Sequence, residues 1–276
     1  MALLERNLEL FQHLALAGDE SLAHPALAIG RLEYPELDLS KYIEWFERRG
    51  ESLSSEFGAT EGVLDKIQIL NRFVYQEEKF APNSRDYYDP KNSYLNDVIE
   101  RKLGIPITLA VIYVELARYL GLELKGIGFP GHFLIGNRQD VAFYIDAFNF
   151  GEILLRADCE ERFLRATGGR IQFSDVFLKP ASKVEVLARM LANLKNIFVE
   201  QRRFDRAVET LNWTIAIQPQ VPLHFRDRGI LLARIECPDA ALKDLEYYLK
   251  HSMGATERQQ VEDLVVALRN NRKTIH

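Results

Sequence analysis

The sequence predicts an α+β protein: a helical N-terminal portion, a central core with a small antiparallel sheet, and an all-α repeat domain at the C-terminal end. Three observations predict it. Apolar residues fall at helical spacing before residue 80 and again beyond Ser182. From Leu122 the period changes to two, in LELKGIGF, HFLIG and VAFYIDAF, segments rich in aromatic and β-branched residues. Asp205-x-Ala207-x-x-x-Leu211 recurs as Asp239-x-Ala241-x-x-x-Leu245, a displacement of 34 residues.

Leu4, Leu8, Phe11 and Ala15 trace the apolar stripe of a first helix. After the Pro35 break, Ser40 is placed to cap a helix carrying Tyr42, Ile43, Trp45 and Phe46. Gly58-Ala59-Thr60 leads into a third helical run through Val63, Ile67, Leu70, Phe73 and Val74. Lys79 to Pro90, with two prolines, an Asn-Ser pair and Asp-Tyr-Tyr-Asp, reads as an ordered loop. Asn92-Ser93 then caps a short helix through Glu100, ended by Gly104. Ile105 to Leu120 is a strongly apolar helix that tolerates Pro106 because it falls in the first turn, with Gly121 as a left-handed stop. The strands follow, punctuated by Gly126, Gly128 and Pro130-Gly131, and the Gly168-Gly169 turn helps to close a first domain at residues 1–181. Residues 182–276 form the helical repeat domain, with Thr256 and Gln259 as a capping box for a last helix.

Composition narrows the function. Of 276 residues 47% are hydrophobic and 27% charged, which suits an ordinary globular chain. A net charge of −5 provides no basic field for nucleic acid. With only Cys159 and Cys237 and six histidines without metal-ligand spacing, neither a disulfide framework nor a metal site is expected, and no cofactor is implied. Charges at Glu5, Arg6 and Glu9 break the N-terminal apolar run, so no signal peptide or membrane span is expected and the cytoplasm is the default compartment.

The chemistry concentrates between Asn92 and Asn149. One strand opens on His132 and the next carries Asp146, an arrangement suited to an imidazole oriented by a carboxylate, as in a nucleophile–His–Asp triad. At the start of the preceding helix, where a nucleophile belongs, stands Gly104-Ile105-Pro106. NSYLNDVIERKLGIPITLAVIY and GFPGHFL resemble the transglutaminase-like branch of the papain-type cysteine enzymes. The 34-residue period resembles that of tetratricopeptide repeats, and the whole layout is similar to a bacterial family, SirB, that joins such a core to such repeats. The resemblance implies that Pro106 occupies the cysteine's position, with His132 as the histidine and Asp146 as the aspartate.

Proline has no nucleophilic atom. Thr108 lies roughly 200° further around the helix at ~100° per residue, Ser93 is better suited to capping, and Cys159 sits in a charged run that argues for neither activation nor burial. One reading makes the pair a scaffold for the Pro130-Gly131 turn. A second keeps the old groove as a binding cleft lined by His132, Asp146, Asn92, Tyr94, Phe129 and Phe148, with Tyr87 and Tyr88 beside them. That reading makes the chain a non-catalytic adaptor for a protein or peptide partner, and Asn193, Asn196, Arg203, Arg226 and Arg228 of the repeats are candidates for holding an acidic peptide end. The alternative is an amide-bond hydrolase or transferase that uses His132 and Asp146 with an unconventional nucleophile.

Overall fold

A computed structural model describes residues 2–18, 21–57, 62–137, 143–252 and 257–274. Gly58-Ala59-Thr60 and Thr256 lie outside the described residues. The chain divides into two compact units, residues 1–190 and 191–276.

Helices α1 (Ala2–Leu16), α2 (Ala23–Ile29), α3 (Ser40–Phe57) and α4 (Val63–Asn71) open the first unit. Phe11 and Ala15 are buried as their stripe requires, whereas Leu4 at its start is 45% exposed. The capping acceptor for α3 is the Asp38 carboxylate, which takes the Ser40 amide at 3.0 Å, so Ser40 begins the helix instead of capping it. A π-helical turn, Arg72–Glu77, continues α4. Such turns insert a residue and rotate the side chains beyond it, and they are frequent at functional sites.

Short strand β1 (Ala81–Pro82) precedes α5 (Leu95–Arg101), β2 (Leu103–Gly104) and α6 (Pro106–Tyr119). Asn92 and Ser93 do not cap α5. Both are fully buried, and Tyr94 occupies the cap position with no side-chain bond to the helix. The helix stops at Lys102, which takes φ +59, and Gly104 instead pairs in β2. Helix α6 is buried at every position from Pro106 to Ala117, as expected for a helix apolar on all sides. Pro106 is its first residue and Gly121, with φ +66, follows its end.

Strands β3 (Leu124–Ile127), β4 (Leu134–Asn137), β5 (Tyr144–Asp146) and β6 (Glu152–Leu154) form an antiparallel meander in the order β3-β4-β5-β6. Helix α7 (Arg156–Thr167) follows, and Ile127, Phe129, Leu134, Leu154, Cys159 and Phe163 join Phe173 and Leu178 in one core cluster. Helix α8 (Lys183–Glu200) begins in this unit.

The second unit takes the rest of α8 and then α9 (Phe204–Ile217), α10 (Pro222–Arg234), α11 (Pro238–His251) and α12 (Arg258–Thr274). The repeat positions pack as the periodicity demands: Ala207, Leu211, Ala241 and Leu245 are each 2% exposed or less. A Cβ on Gly229 would lie 2.8 Å from the Leu245 side chain, so the smallest residue permits α10 and α11 to approach.

Candidate functional site

Asp146 ends β5 and opens the turn that leads to β6. Its side chain is fully buried, and five donors surround it. Oδ1 accepts from His132 Nε2 (2.8 Å) and from the amides of Phe148 (3.0 Å) and Asn149 (3.2 Å). Oδ2 accepts from Asn149 Nδ2 (2.7 Å) and from Arg162 (2.6 Å). Burial alone would raise the carboxyl's pKa, but the His132 bond and charge, then Asn149 and Arg162, hold it below the ordinary value. Asp146 is therefore an ionised group with both oxygens fully engaged. Since Nε2 faces Asp146, Nδ1 is the His132 nitrogen left for other chemistry.

Residues from distant segments hold this turn. Tyr75, in the π-helical segment, donates to Ala147 O (2.9 Å), and Asn71 donates to Gly151 O (3.0 Å). Tyr113 of α6 donates to Asn71 Oδ1 (2.8 Å), with its own pKa pushed up by burial. Gly151 has φ +74, and a Cβ there would fall 1.8 Å from Asn71 Oδ1.

His132 lies in the β3–β4 connection and its side chain is 22% exposed. Phe148 meets its ring edge-on at 6.0 Å between centroids, Tyr87 meets Phe148 at 6.2 Å, and Tyr88 meets Tyr87 at 5.3 Å. Tyr87 and Tyr88 are 39% and 60% exposed, so this aromatic wall is open to solvent. Arg189 of α8 braces the connection from behind, donating from Nη2 to Phe129 O (2.7 Å) and His132 O (2.6 Å).

The other candidates occupy different places. Asn92 is a latch: its Nδ2 donates to the carbonyls of Asp86 (2.7 Å) and Tyr87 (3.2 Å), and its Oδ1 accepts from Asn83 (2.9 Å). It therefore sets the loop that presents the two tyrosines and offers no surface of its own. Tyr94 and Phe129, at 0% and 1% exposure, line no cleft. Tyr94 packs on Tyr34, and Phe129 packs on Phe163 in the core.

No activated nucleophile emerges among the weighed groups. Pro106 is buried. Thr108 Oγ1 receives the Ile105 amide and donates to Asn92 O (2.9 Å), closing the first turn of α6. Cys159 is fully buried despite its charged sequence neighbours, because it packs into the core while Asp158 and Glu161 stay exposed on α7, and burial pushes its thiol up to about 11. In the repeats, Arg228 grips the buried Asp244 with two bonds (2.6 and 2.8 Å) and also Asn212, while Arg226 pairs with Asp227 and Glu257. Those two guanidiniums are already occupied by the unit's own acceptors. Tyr75, Asn71, Arg162 and Arg189 had no signal in the sequence beyond their residue types, since their partners lie 10 to 80 positions away.

Comparisons with known proteins identify the two parts of the chain. The transglutaminase-like superfamily matches residues 40–192, and the tetratricopeptide repeat matches residues 194–266. A UPF0162 protein of Xylella fastidiosa (strain Temecula1) is 36% identical over 275 residues, covering 98% of both chains. A UPF0162 protein of Vibrio cholerae is 27% identical over 217 residues, 76% of this chain and 79% of that one. F-box only protein 21 of Mus musculus is 38% identical over 123 residues, 41% of this chain and 19% of its own. No solved structure is a significant match. Among the described residues no helix is long and apolar enough to cross a membrane.

Proposed function

Because this chain belongs to the transglutaminase-like superfamily and carries tetratricopeptide repeats after that core, we propose that it is a non-catalytic adaptor whose His132 surface binds a protein or peptide. The carrying observation is the buried Pro106 at the first position of α6, where the resemblance puts the thiol. A thiolate there would be activated by the helix N-terminus and an imidazolium, and proline has nothing to activate. The His132–Asp146 pair then serves as architecture. It fixes an aromatic wall of Phe148, Tyr87 and Tyr88, residue types that contribute large contact area at small entropic cost. Tetratricopeptide repeats, which present concave helical surfaces, suit the same role.

The alternative, amide-bond hydrolysis or transfer, rests on one observation: a partly exposed imidazole with Nε2 on a buried carboxylate and Nδ1 free to act as a general base on water. The adaptor reading is tested by selecting peptides from a display library on the full chain and on His132→Ala. Enrichment of a common motif by the wild type, lost in a variant whose melting temperature is preserved, supports it. Selection of the same motif by both proteins, or of none by either, contradicts it.

A further inference from the structure

The four-stranded sheet has two edges, and they are finished differently. At β3 the Ala181 amide donates to Gly126 O (2.8 Å), and Ile127 forms an antiparallel bridge with Pro180. Pro180 brings no N–H, so pairing stops there, and Lys125 adds a charge to the same strand. Strand β6 has neither lysine nor proline, and its one charge, Glu152, is tied to Arg162 (2.6 Å). In an antiparallel strand alternate residues turn their N–H and C=O away from the neighbour. Those of Glu152–Leu154 that face away from β5 have no protein partner among the described residues. Shortness, at three residues, is the protection left to this edge.

The side chains show what the edge lacks. The register aligns Ile135 of β4 with Ile145 of β5, and Ile145 with Ile153 of β6, a row of isoleucines on one face. The first two are fully buried, whereas Ile153 is 39% exposed, because no further strand lies beside it. Leu155, just past the strand, is exposed as well. We propose that β6 is a docking edge for an extended peptide segment of another protein, which adds a fifth strand and sets an aliphatic side chain beside Ile153. Backbone bonds supply the pairing, and the isoleucine row supplies the selectivity. A second copy joining through β6 alone would contribute three residues, about 10 Å of strand, well short of the roughly 800 Å² per partner that a stable dimer needs. A short linear segment needs no such area for a weak, reversible contact. Glu152 stands opposite Asp146, and Arg162 is bonded to both carboxylates. A peptide at this edge therefore runs alongside the residues that hold His132.

The docking edge rests on the binding reading above and gives its ligand a conformation; the test tells the two apart. The isotope-labelled full chain is titrated with acetyl-Thr-Thr-Ile-Thr-Thr amide and followed by NMR at the β6 amides and the His132 ring. The expected result is a shift of the Glu152, Ile153 and Leu154 amides, with slowed exchange of those facing outward. Replacing the probe's Ile by Asp is expected to weaken binding about tenfold, since the apolar side chain beside Ile153 is lost. N-methylation of alternate probe nitrogens, in two complementary sets, reads the backbone pairing: one set should abolish binding and the other leave it. Ile153→Lys, a change at an exposed position, should abolish binding and preserve the melting temperature. If that variant fails to fold, the methylated probes on wild type carry the test. Equal effects of the two methylation sets, full binding by a folded Ile153→Lys, or no binding at all overturn the edge. Shifts of β6 amides that follow protein concentration without the probe assign the edge to a second copy and also overturn the proposal. Shifts at Phe148 and His132 alone overturn the edge and leave the binding reading standing. Binding at β6 that persists in His132→Ala supports the edge even where the display selection returns nothing.

Discussion

At Asp146 a single carboxylate closes a turn, orients an imidazole and neutralises Arg162. Removing one member of a buried, hydrogen-bonded pair typically costs about 3–5 kcal/mol, so Asp146→Ala is expected to fall in that range in urea denaturation at pH 7. The pH dependence follows from the direction of the pKa shift. A carboxyl held below its unfolded value of about 3.9 stabilises the fold fully above that pH, and loses the contribution as pH falls through the lower folded value. The stability gap between wild type and Asp146→Asn should therefore narrow from pH 7 to pH 3, and a constant gap would show that the charge contributes nothing. The two cysteines give a sharper contrast. With its thiol pushed up to about 11 inside the core, Cys159 should resist iodoacetamide at pH 8, while the exposed Cys237 reacts. Mass spectrometry of the native chain should find the adduct on Cys237 alone, and modification of Cys159 at a similar rate would mean that α7 opens readily.

The element that carries the site is the turn between β5 and β6. Gly151 is its tightest point, because φ is +74 and the space a Cβ needs is filled by Asn71 Oδ1. Gly151→Ala should lower stability by about 1–3 kcal/mol from backbone strain alone, with the overlap adding to it, and thermal unfolding reads the loss. The same turn shows how much the sequence conveyed. The period of two between Leu122 and Phe148 marks the strands, and Pro106 and Gly121 bracket α6, because these are local rules of backbone geometry. The pairing of His132 with Asp146 was legible because the connection carrying His132 runs directly into β4, the neighbour of the strand that ends on Asp146. Tertiary support was not. Tyr75 reaches Ala147 through a π-helical turn that no periodicity announces, and Arg189 binds carbonyls, which carry no side-chain identity. Asn92 was misread as a helix cap because Asn favours caps and buried latches for the same reason, its short amide.

Across the whole molecule, the apolar period of the repeats is local and predictable, whereas two of their candidate binding arginines, Arg226 and Arg228, are held by the unit's own carboxylates. Arg228 ties Asn212 of α9 to Asp244 of α11, so Arg228→Ala leaves a carboxylate 3% exposed without its partner. The expected cost is about 3–5 kcal/mol, with hydrogen-exchange protection lost across residues 204–251. A change below about 1 kcal/mol would assign this pair to the weak surface class. The first unit poses the larger question, since it pairs an imidazole with a buried carboxylate while the first position of α6, where the proposed reading puts a thiol, is a buried proline. The most direct measurement is the initial rate of amine incorporation into, and hydrolysis of, a glutamine-containing peptide by the full chain and by His132→Ala. The two rates should be equal and no higher than the uncatalysed background. A wild-type rate clearly above that of His132→Ala would contradict the adaptor reading and establish His132 as part of a working catalyst.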